Sequence, residues 1–419
     1  MNKKRFVALG AALILAMAFV LPSCAPAPLA EKEPITIGFV HSLTGVYAGY
    51  GLDQKAAAEI AIVEINQAGG VLGRPLKLIA RDDKVNPEVG LREAKDLVFT
   101  EKVDFLMGTV SSAAGLAISE FAKSEKIIFF DTCSQSDVIT AAEGHRYVVR
   151  ISTNTAGYCR TGARWAAELP YTKWYQIDPD YTYGKSCSRL FREELTRLRP
   201  DVEFLGQDWP KLGCTDYSPY ITKILGSGAE ACYSSVAGSD FITWVSQATP
   251  FGYFDKVYHM GHDLGELEVT KGVGADVPSG KIAGGNHFAF WMAEKAYGKA
   301  AAEKASVFTT EYHDKTGAWP SLGACGYVAT YILADTINKV GALDTEKIID
   351  ALEGATFDTI VGPLHINDYD HQALWPFVFG TIVLTPDYPF GIVSPEDAMV
   401  FPVEEVYQTE AEVLKLRGK

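Results

Sequence analysis

The chain has no Cys-x-x-Cys pair, no glycine-rich phosphate loop and no basic run in its body. The first absence removes zinc ribbons and thioredoxin-type redox motifs. The second removes dinucleotide and nucleoside triphosphate sites, since neither GxGxxG after the first expected strand nor GxxxxGK(S/T) occurs. A GxSxG nucleophile elbow and an HExxH pair are missing too. The chain therefore offers no cofactor cradle and no ready catalytic motif. With 38 Lys+Arg against 52 Asp+Glu, a net charge of −14, it also lacks the clustered cations that sequence-independent nucleic-acid binding needs. Charge as a whole is sparse, at 21%, while hydrophobic residues make up 47%, which is not the composition of a disordered chain. At roughly 150 residues per domain, 419 residues suggest two or three domains, each able to bury a core.

No later segment is long and apolar enough to span a membrane, but the N-terminus has the pattern of an export signal. Lys3, Lys4 and Arg5 precede an apolar run from Phe6 to Leu21, then Pro22, Ser23 and Cys24. That run is about 16 residues, short of the roughly 20 a spanning helix requires. Residues 1–23 read as a signal peptide, and the Pro-rich stretch 24–34 as a tether. Removing Lys3, Lys4 and Arg5 takes the net charge from −14 to −17.

Beyond the tether the chain alternates short β-rich runs with helical patterns. Strands are expected at Ile35–Val40, Pro75–Ala80, Asp104–Met107, Ile127–Phe130 and Tyr147–Ile151. The intervening helices are expected at 53–67, 87–100 and 113–124. The same rhythm restarts at Ala156 and runs to a strand ending at Met260. Units of about 30 residues with buried strands mean a parallel sheet covered by helices, so we expect an α/β fold with two doubly wound parallel sheets in series. Helices are further expected at 322–340 and 345–352, and an extended segment at Gly362–Leu364. Ligands of such open sheets bind beyond the carboxyl ends of the strands. Function should then lie in the loops after Val40, Met107, Phe130, Ile177, Tyr233 and Met260.

Several residues in those loops could carry chemistry. Ser111 and Ser112 follow a strand and open a helix; no base is evident for a nucleophile, whereas helix capping and anion binding fit the position. His259, His262 and Asp263 are three potential metal ligands, but three residues apart at a strand end they do not share a face, and no metal site is expected. His365, Asp368, Asp370 and His371 read as a solvated turn. Six cysteines remain after Cys24, and export would allow disulfides among them. Their pairing is open, with Cys187 and Cys214 the favoured couple.

Read in order, these loops resemble a known family. Ser42-Leu-Thr-Gly45 and Tyr50-Gly51 follow the first strand, and Glu64-Ile-Asn66 and Gly69-Gly70 close its helix. Gly108-Thr-Val-Ser-Ser112, Asp180-Tyr-Thr-Tyr-Gly184 and Gly362-Pro-Leu364 come later. Together they resemble type I periplasmic solute-binding proteins, the leucine/isoleucine/valine-binding group of ABC-transporter receptors. Leu21 to Cys24 likewise resembles a bacterial lipobox, which implies lipidation of Cys24 after cleavage. The resemblance implies two lobes joined by three hinge strands, with crossings near Ile151, Gly284 and Trp375. Lobe one would be 35–151 plus 285–374, and lobe two 152–284 plus 375–419.

The resemblance also implies a site. Ser111 and Ser112, with Cys133, Ser134 and Gln135, fall where the family grips a ligand carboxylate, and the Cys133 N–H would take part. Tyr50 would cover the ligand, Tyr183 would close on it from lobe two, and Asp263 would meet an ammonium. Ser235 and Val236 would line the same cleft. The aromatic surroundings, Tyr47, Tyr50, Tyr181 and Tyr183, suit an apolar or aromatic side chain. The expected activity is binding without catalysis. An exported, lipid-anchored monomer without cofactor or metal would take a small hydrophobic or aromatic amino acid to an ABC permease. An aromatic carboxylate without an amine is the alternative, and an exported enzyme or metal protein on the same scaffold a remote one.

Overall fold

The computed structural model describes residues 32–418. The expected signal peptide, Cys24 and all of the tether but residues 32–34 lie outside them. No helix among the described residues is long and apolar enough to cross a membrane.

Short apolar strands separated by amphipathic helices build the first sheet. β1 (Ile35–His41), α1 (Ala48–Gln67), β2 (Leu76–Asp82), α2 (Pro87–Phe99), β3 (Phe105–Gly108), α3 (Ser112–Glu125), β4 (Phe129–Asp131) and β5 (Val148–Arg150) follow in turn. The strands are all parallel in the order β2-β1-β3-β4-β5. Ile35, Ile37, Phe39 and Val40 of β1 are fully buried, as a central strand covered on both faces requires.

The second sheet begins after α4 (Thr155–Ala167). It is laid down by β6 (Lys173–Ile177), α5 (Thr182–Leu198), β7 (Glu203–Asp208), α6 (Ser218–Ser227), β8 (Ala231–Ser234), α7 (Gly238–Ala248), β9 (Tyr258–Gly261), α8 (Leu267–Val273) and β10 (Ile282–Asn286). The chain then returns to the first lobe with α9 (Ala293–Tyr297), α10 (Lys299–Thr316), α11 (Gly323–Val340), α12 (Thr345–Leu352) and the hairpin β11 (Thr356–Thr359) and β12 (Gly362–His365). Helix α11 packs along α1. Their small residues, among them Ala57, Ala61, Ala324 and Ala329, are fully buried there. Last come β13 (Val378–Leu384), β14 (Gly391–Val393), β15 (Met399–Val400), α13 (Val403–Val406) and α14 (Glu410–Leu416). The second sheet runs β14-β13-β10-β9-β8-β6-β7, with β15 also on β13.

The fold is thus α/β with two parallel-sheet lobes. It differs from the expectation in the antiparallel edge that β13 and β14 add to the second sheet. Helix α10 was not expected either, although Ala301, Ala305, Phe308 and Tyr312 are buried at helical spacing between Gly298 and Gly317. The favoured Cys187–Cys214 couple is corrected: all six cysteines among the described residues are free. The turn 365–371 is corrected as well. Asp370 and His371 are buried, because His371 reaches Val148 O (3.2 Å) and Glu353 Oε1 (3.1 Å) and so ties the turn to β5 and to the end of α12.

Three chain segments connect the lobes, and they are tied to one another. The first follows Arg150, the second leaves β10 at His287, and the third runs from Gln372 into β13. Ala373 N donates to Arg150 O (2.8 Å), Gln372 Nε2 to Ser152 O (2.7 Å), and the Trp375 indole to His287 O (2.8 Å). Arg150 itself is fully buried. It pairs with Asp131 (3.3 Å) and donates to Ser136 O (2.8 Å) and Gln372 Oε1 (3.5 Å). Removing one partner of such a pair strands a buried charge. Arg150→Ala is therefore expected to cost about 3–5 kcal/mol in urea unfolding; a loss below about 1 kcal/mol would show that the pair does not hold this joint.

Candidate functional site

The loops at the carboxyl ends of the strands meet between the lobes. The loop after β1 is shaped by Asp82 and Asp83. Asp82 Oδ1 accepts from Leu43 N (3.0 Å) and Thr44 N (3.3 Å), and Asp83 Oδ1 from the Ser42 hydroxyl (2.8 Å). This presses the start of α1 onto the loop so closely that a Cβ at Gly51 would come 2.1 Å from Ser42 O. Tyr47 and Tyr50 are thereby set at the cleft. The second lobe repeats the device after β6, where a Cβ at Gly184 would lie 2.0 Å from Pro179 O. Tyr181 and Tyr183 are the counterparts.

The lobes are closed on one another. Tyr47 Oη and Tyr181 Oη are 2.7 Å apart, Gly238 N donates to Tyr50 Oη (3.1 Å), and Ser136 Oγ meets Ser186 Oγ (3.0 Å). Between them remains a cavity of only about 10 Å³, lined by the four tyrosines with Val110, Cys133, Gln135, Asp263 and Leu322. That is room for little more than one water, so a solute enters only when the lobes part.

Five of the ten expected contact residues line that space: Tyr50, Cys133, Gln135, Tyr183 and Asp263. The other five are buried beside it, each with its own partner. Ser111 Oγ caps α3 at Ala114 N (3.5 Å), and Ser112 Oγ accepts from Ser136 N (3.1 Å). Ser134 Oγ donates to Thr109 O (3.1 Å), Ser235 Oγ to Asp178 Oδ1 (2.5 Å), and Val236 N to Ser234 Oγ (3.1 Å). The Cys133 N–H, expected to face a ligand carboxylate, instead donates to Asp131 Oδ1 (3.3 Å), as Ser134 N does (2.7 Å). The chain's own Asp131 carboxylate, paired with Arg150, occupies those donors.

Asp263 is the chemically unusual member. It is buried, Oδ2 accepts from the Tyr183 hydroxyl (2.9 Å), and Oδ1 has no partner. A chain of donors leads to it from the core. Cys159 Sγ lies 3.2 Å from Tyr233 Oη, and Tyr233 Oη 3.0 Å from His262 Nδ1. His262 Nε2 then meets Tyr183 Oη, with the Tyr158 ring stacked on the imidazole at 3.8 Å. Burial first, and the nearby Glu266 charge second, push the Asp263 carboxyl up to about 7, against the pull of His287 and Tyr183. Burial also pushes the Tyr183 phenol up and the His262 imidazole down, so both stay neutral around neutral pH.

Glu266 and His287, which sequence reading did not single out, sit next to this group. His287 Nδ1 donates to Glu266 Oε1 (2.6 Å), and Gln135 Nε2 of the first lobe donates to His287 Nε2 (3.1 Å) on the second connecting segment. Tyr47, Tyr181, Val110 and Leu322 were likewise outside the expected contact set. The tyrosine-rich loops signalled the first two, whereas Leu322 reaches the cleft from a distant part of the chain. Asp263, Glu266 and His287 form one trio of possible metal ligands, and Cys159, Cys187 and His262 another, each with its atoms within 4.8 Å. Both histidines already spend both ring nitrogens on protein partners. His259 faces the other way, among Phe241, Trp244 and Tyr253.

The model of a family described as periplasmic binding protein matches residues 34–388. A Leu/Ile/Val-binding protein homologue of Brucella melitensis is 23% identical over 370 residues, covering 85% of this chain and 86% of the relative. A leucine-, isoleucine-, valine-, threonine- and alanine-binding protein of Pseudomonas aeruginosa is 24% identical, covering 80% and 86%. Among solved structures, a solute-binding protein of an ABC transporter from Rhodopseudomonas palustris, in complex with 3,4-dihydroxybenzoic acid, aligns with a TM-score of 0.78 at 19% identity, covering 88% of this chain and 98% of that one. A leucine-binding protein of Thermotoga maritima aligns at 0.74 and 22%, covering 86% and 99%.

A carboxyl raised on folding favours the folded state at low pH and loses that contribution as pH rises from about 4 through about 7. Asp263→Asn removes the cost of burying the charge. The empty variant should match the parent near pH 4 and melt higher at pH 8, with on the order of 4 kcal/mol as an upper bound. An equal or lower melting temperature at pH 8 would contradict the unpartnered carboxylate.

Proposed function

The chain belongs to the periplasmic binding protein family, and from that premise we propose that it is the extracytoplasmic receptor of an ABC importer for a small amino acid, branched-chain, other hydrophobic or aromatic. Capture needs no catalysis. Open lobes admit the solute, contacts from both lobes favour the closed state, and the permease reads that state. Asp263 carries the reading. A buried carboxylate oxygen without a partner, in a space walled by tyrosines, calls for a charge-assisted donor, which an ammonium supplies. The protein works as a monomer, exported through residues 1–23 and held to the membrane by a lipid on Cys24.

An aromatic carboxylate is the second reading. The tyrosine lining suits its ring, and structurally similar proteins hold benzoate and hydroxybenzoates. Asp263 separates the two, because an acid without an amine gives it at most a hydroxyl.

A thermal-shift screen of amino acids and aromatic acids tests the receptor. A cognate ligand at 100 times its Kd stabilises the folded protein by about 2.7 kcal/mol. No shift with any of them at millimolar concentration would remove the receptor reading. Asp263→Asn should cost an amino acid about 2–5 kcal/mol of affinity and largely spare an aromatic acid. Amine affinity should also weaken as pH falls below about 7, since the protonated carboxyl no longer pairs with the cation.

A further inference from the structure

Two of the six cysteines meet in the core of the second lobe. Cys159 lies on α4 and Cys187 on α5, helices that pack along one another. Both side chains are fully buried, and their sulfurs lie within 4.8 Å of each other. Both are free thiols here. Burial first, and a hydrogen bond with Cys159 second, push the Cys187 thiol up, so the two meet as neutral groups. The other cysteines of this lobe turn elsewhere. The Cys214 thiol donates to Asp216 O (3.4 Å) and the Cys232 thiol to Tyr233 O (3.7 Å). A disulfide sets its sulfurs about 2.05 Å apart, so Cys159 and Cys187 stand within a few ångströms of bonding distance. The chain belongs to a periplasmic family, and outside the reducing cytoplasm such bonds form and persist.

We infer that Cys159 and Cys187 form a disulfide as the exported chain folds, a staple inside the second lobe that fixes α4 to α5. The bond arises by exchange with an external disulfide, that of a protein dithiol oxidant or of a small molecule such as oxidised glutathione. One cysteine, as its thiolate, attacks a sulfur of that disulfide and releases one half of it as a thiol. The second cysteine attacks the resulting mixed disulfide and releases the other half. The protein pair loses two electrons and two protons, and the external disulfide takes up both to become two thiols. Full burial places the step before the core closes, while an oxidant still reaches both sulfurs. Helix α5 carries Tyr183, which reaches Asp263, and α4 follows the first connection between the lobes. The staple thus ties the helix next to the joint to the helix that presents a cleft tyrosine. Both of its ends lie in one lobe, so it leaves opening and closing free.

Peptide mapping without reduction tests the bond. The full chain is refolded in a mixture of reduced and oxidised glutathione, and the folded fraction is isolated. Its remaining thiols are capped with iodoacetamide in denaturant before trypsin is added. Cleavage after Arg150, Arg160, Lys185 and Arg189 leaves Cys159 in residues 151–160 and Cys187 in residues 186–189. These two peptides should appear joined and should separate on reduction, while Cys133, Cys214, Cys232 and Cys325 carry the cap. Capped Cys159 and Cys187 in the folded protein would overturn the inference, and so would Cys187 joined to Cys214 or to any other cysteine. Melting then distinguishes a staple from an idle bond. Refolded with a reductant, the parent should melt about 5 °C or more below its oxidised form. The double variant Cys159→Ala/Cys187→Ala should melt at one temperature in both buffers. Equal melting of the oxidised and reduced parent would overturn the staple.

Discussion

A carboxylate shut away from water with one oxygen unpartnered is the constraint around which the cleft is organised. In water Asp263 would be fully ionised at neutral pH. In the closed cleft its charge is costly enough to move its titration to about 7. Its hydrogen-bond support is a chain from Cys159 through Tyr233, His262 and Tyr183, and the His287 charge only partly offsets the cost of burial. These orient the group without neutralising it. In the proposed receptor a donor for the free oxygen would come from the solute, and closure would then depend on it.

The contrast with Asp131 makes the point sharper. That carboxylate is also fully buried and lies on the first-lobe side of the cleft, yet it has Arg150 and two backbone N–H groups. One acid is paired and belongs to the joint between the lobes; the other keeps an oxygen without a partner at the cleft. Closure has its own bonds, from Tyr47 to Tyr181 and from Tyr50 to Gly238.

Much of this was readable from residues, for identifiable reasons. Parallel strands buried on both faces leave apolar runs such as Ile35–Val40, and the loops that follow them are where the cleft formed. The Tyr-Gly pairs were legible as motifs, and the structure supplies their cause in the close approach of Gly51 to Ser42 O and of Gly184 to Pro179 O. What sequence could not settle was which polar groups spend themselves internally. Ser112, Ser134 and Ser235 look the same in a sequence whether they face a ligand or hold a backbone, and here they hold the protein. Glu266 and His287 escaped notice because they lie in no motif, and His287 joins Glu266 to Gln135, far away in sequence, only in the folded chain. The antiparallel edge of β13 and β14 depends on the third crossing, a long-range pairing that local pattern does not encode.

Proton release on binding is the most direct measure of the central claim. Calorimetry of one amine ligand at pH 6, in buffers of different ionisation enthalpy, counts the protons exchanged as the complex forms. If an ammonium pairs with Asp263, close to one proton should leave per ligand at pH 6, and almost none at pH 8.5, where the carboxyl is already ionised. No exchange at pH 6, or uptake of a proton there, would contradict an unpartnered acid waiting for a cation.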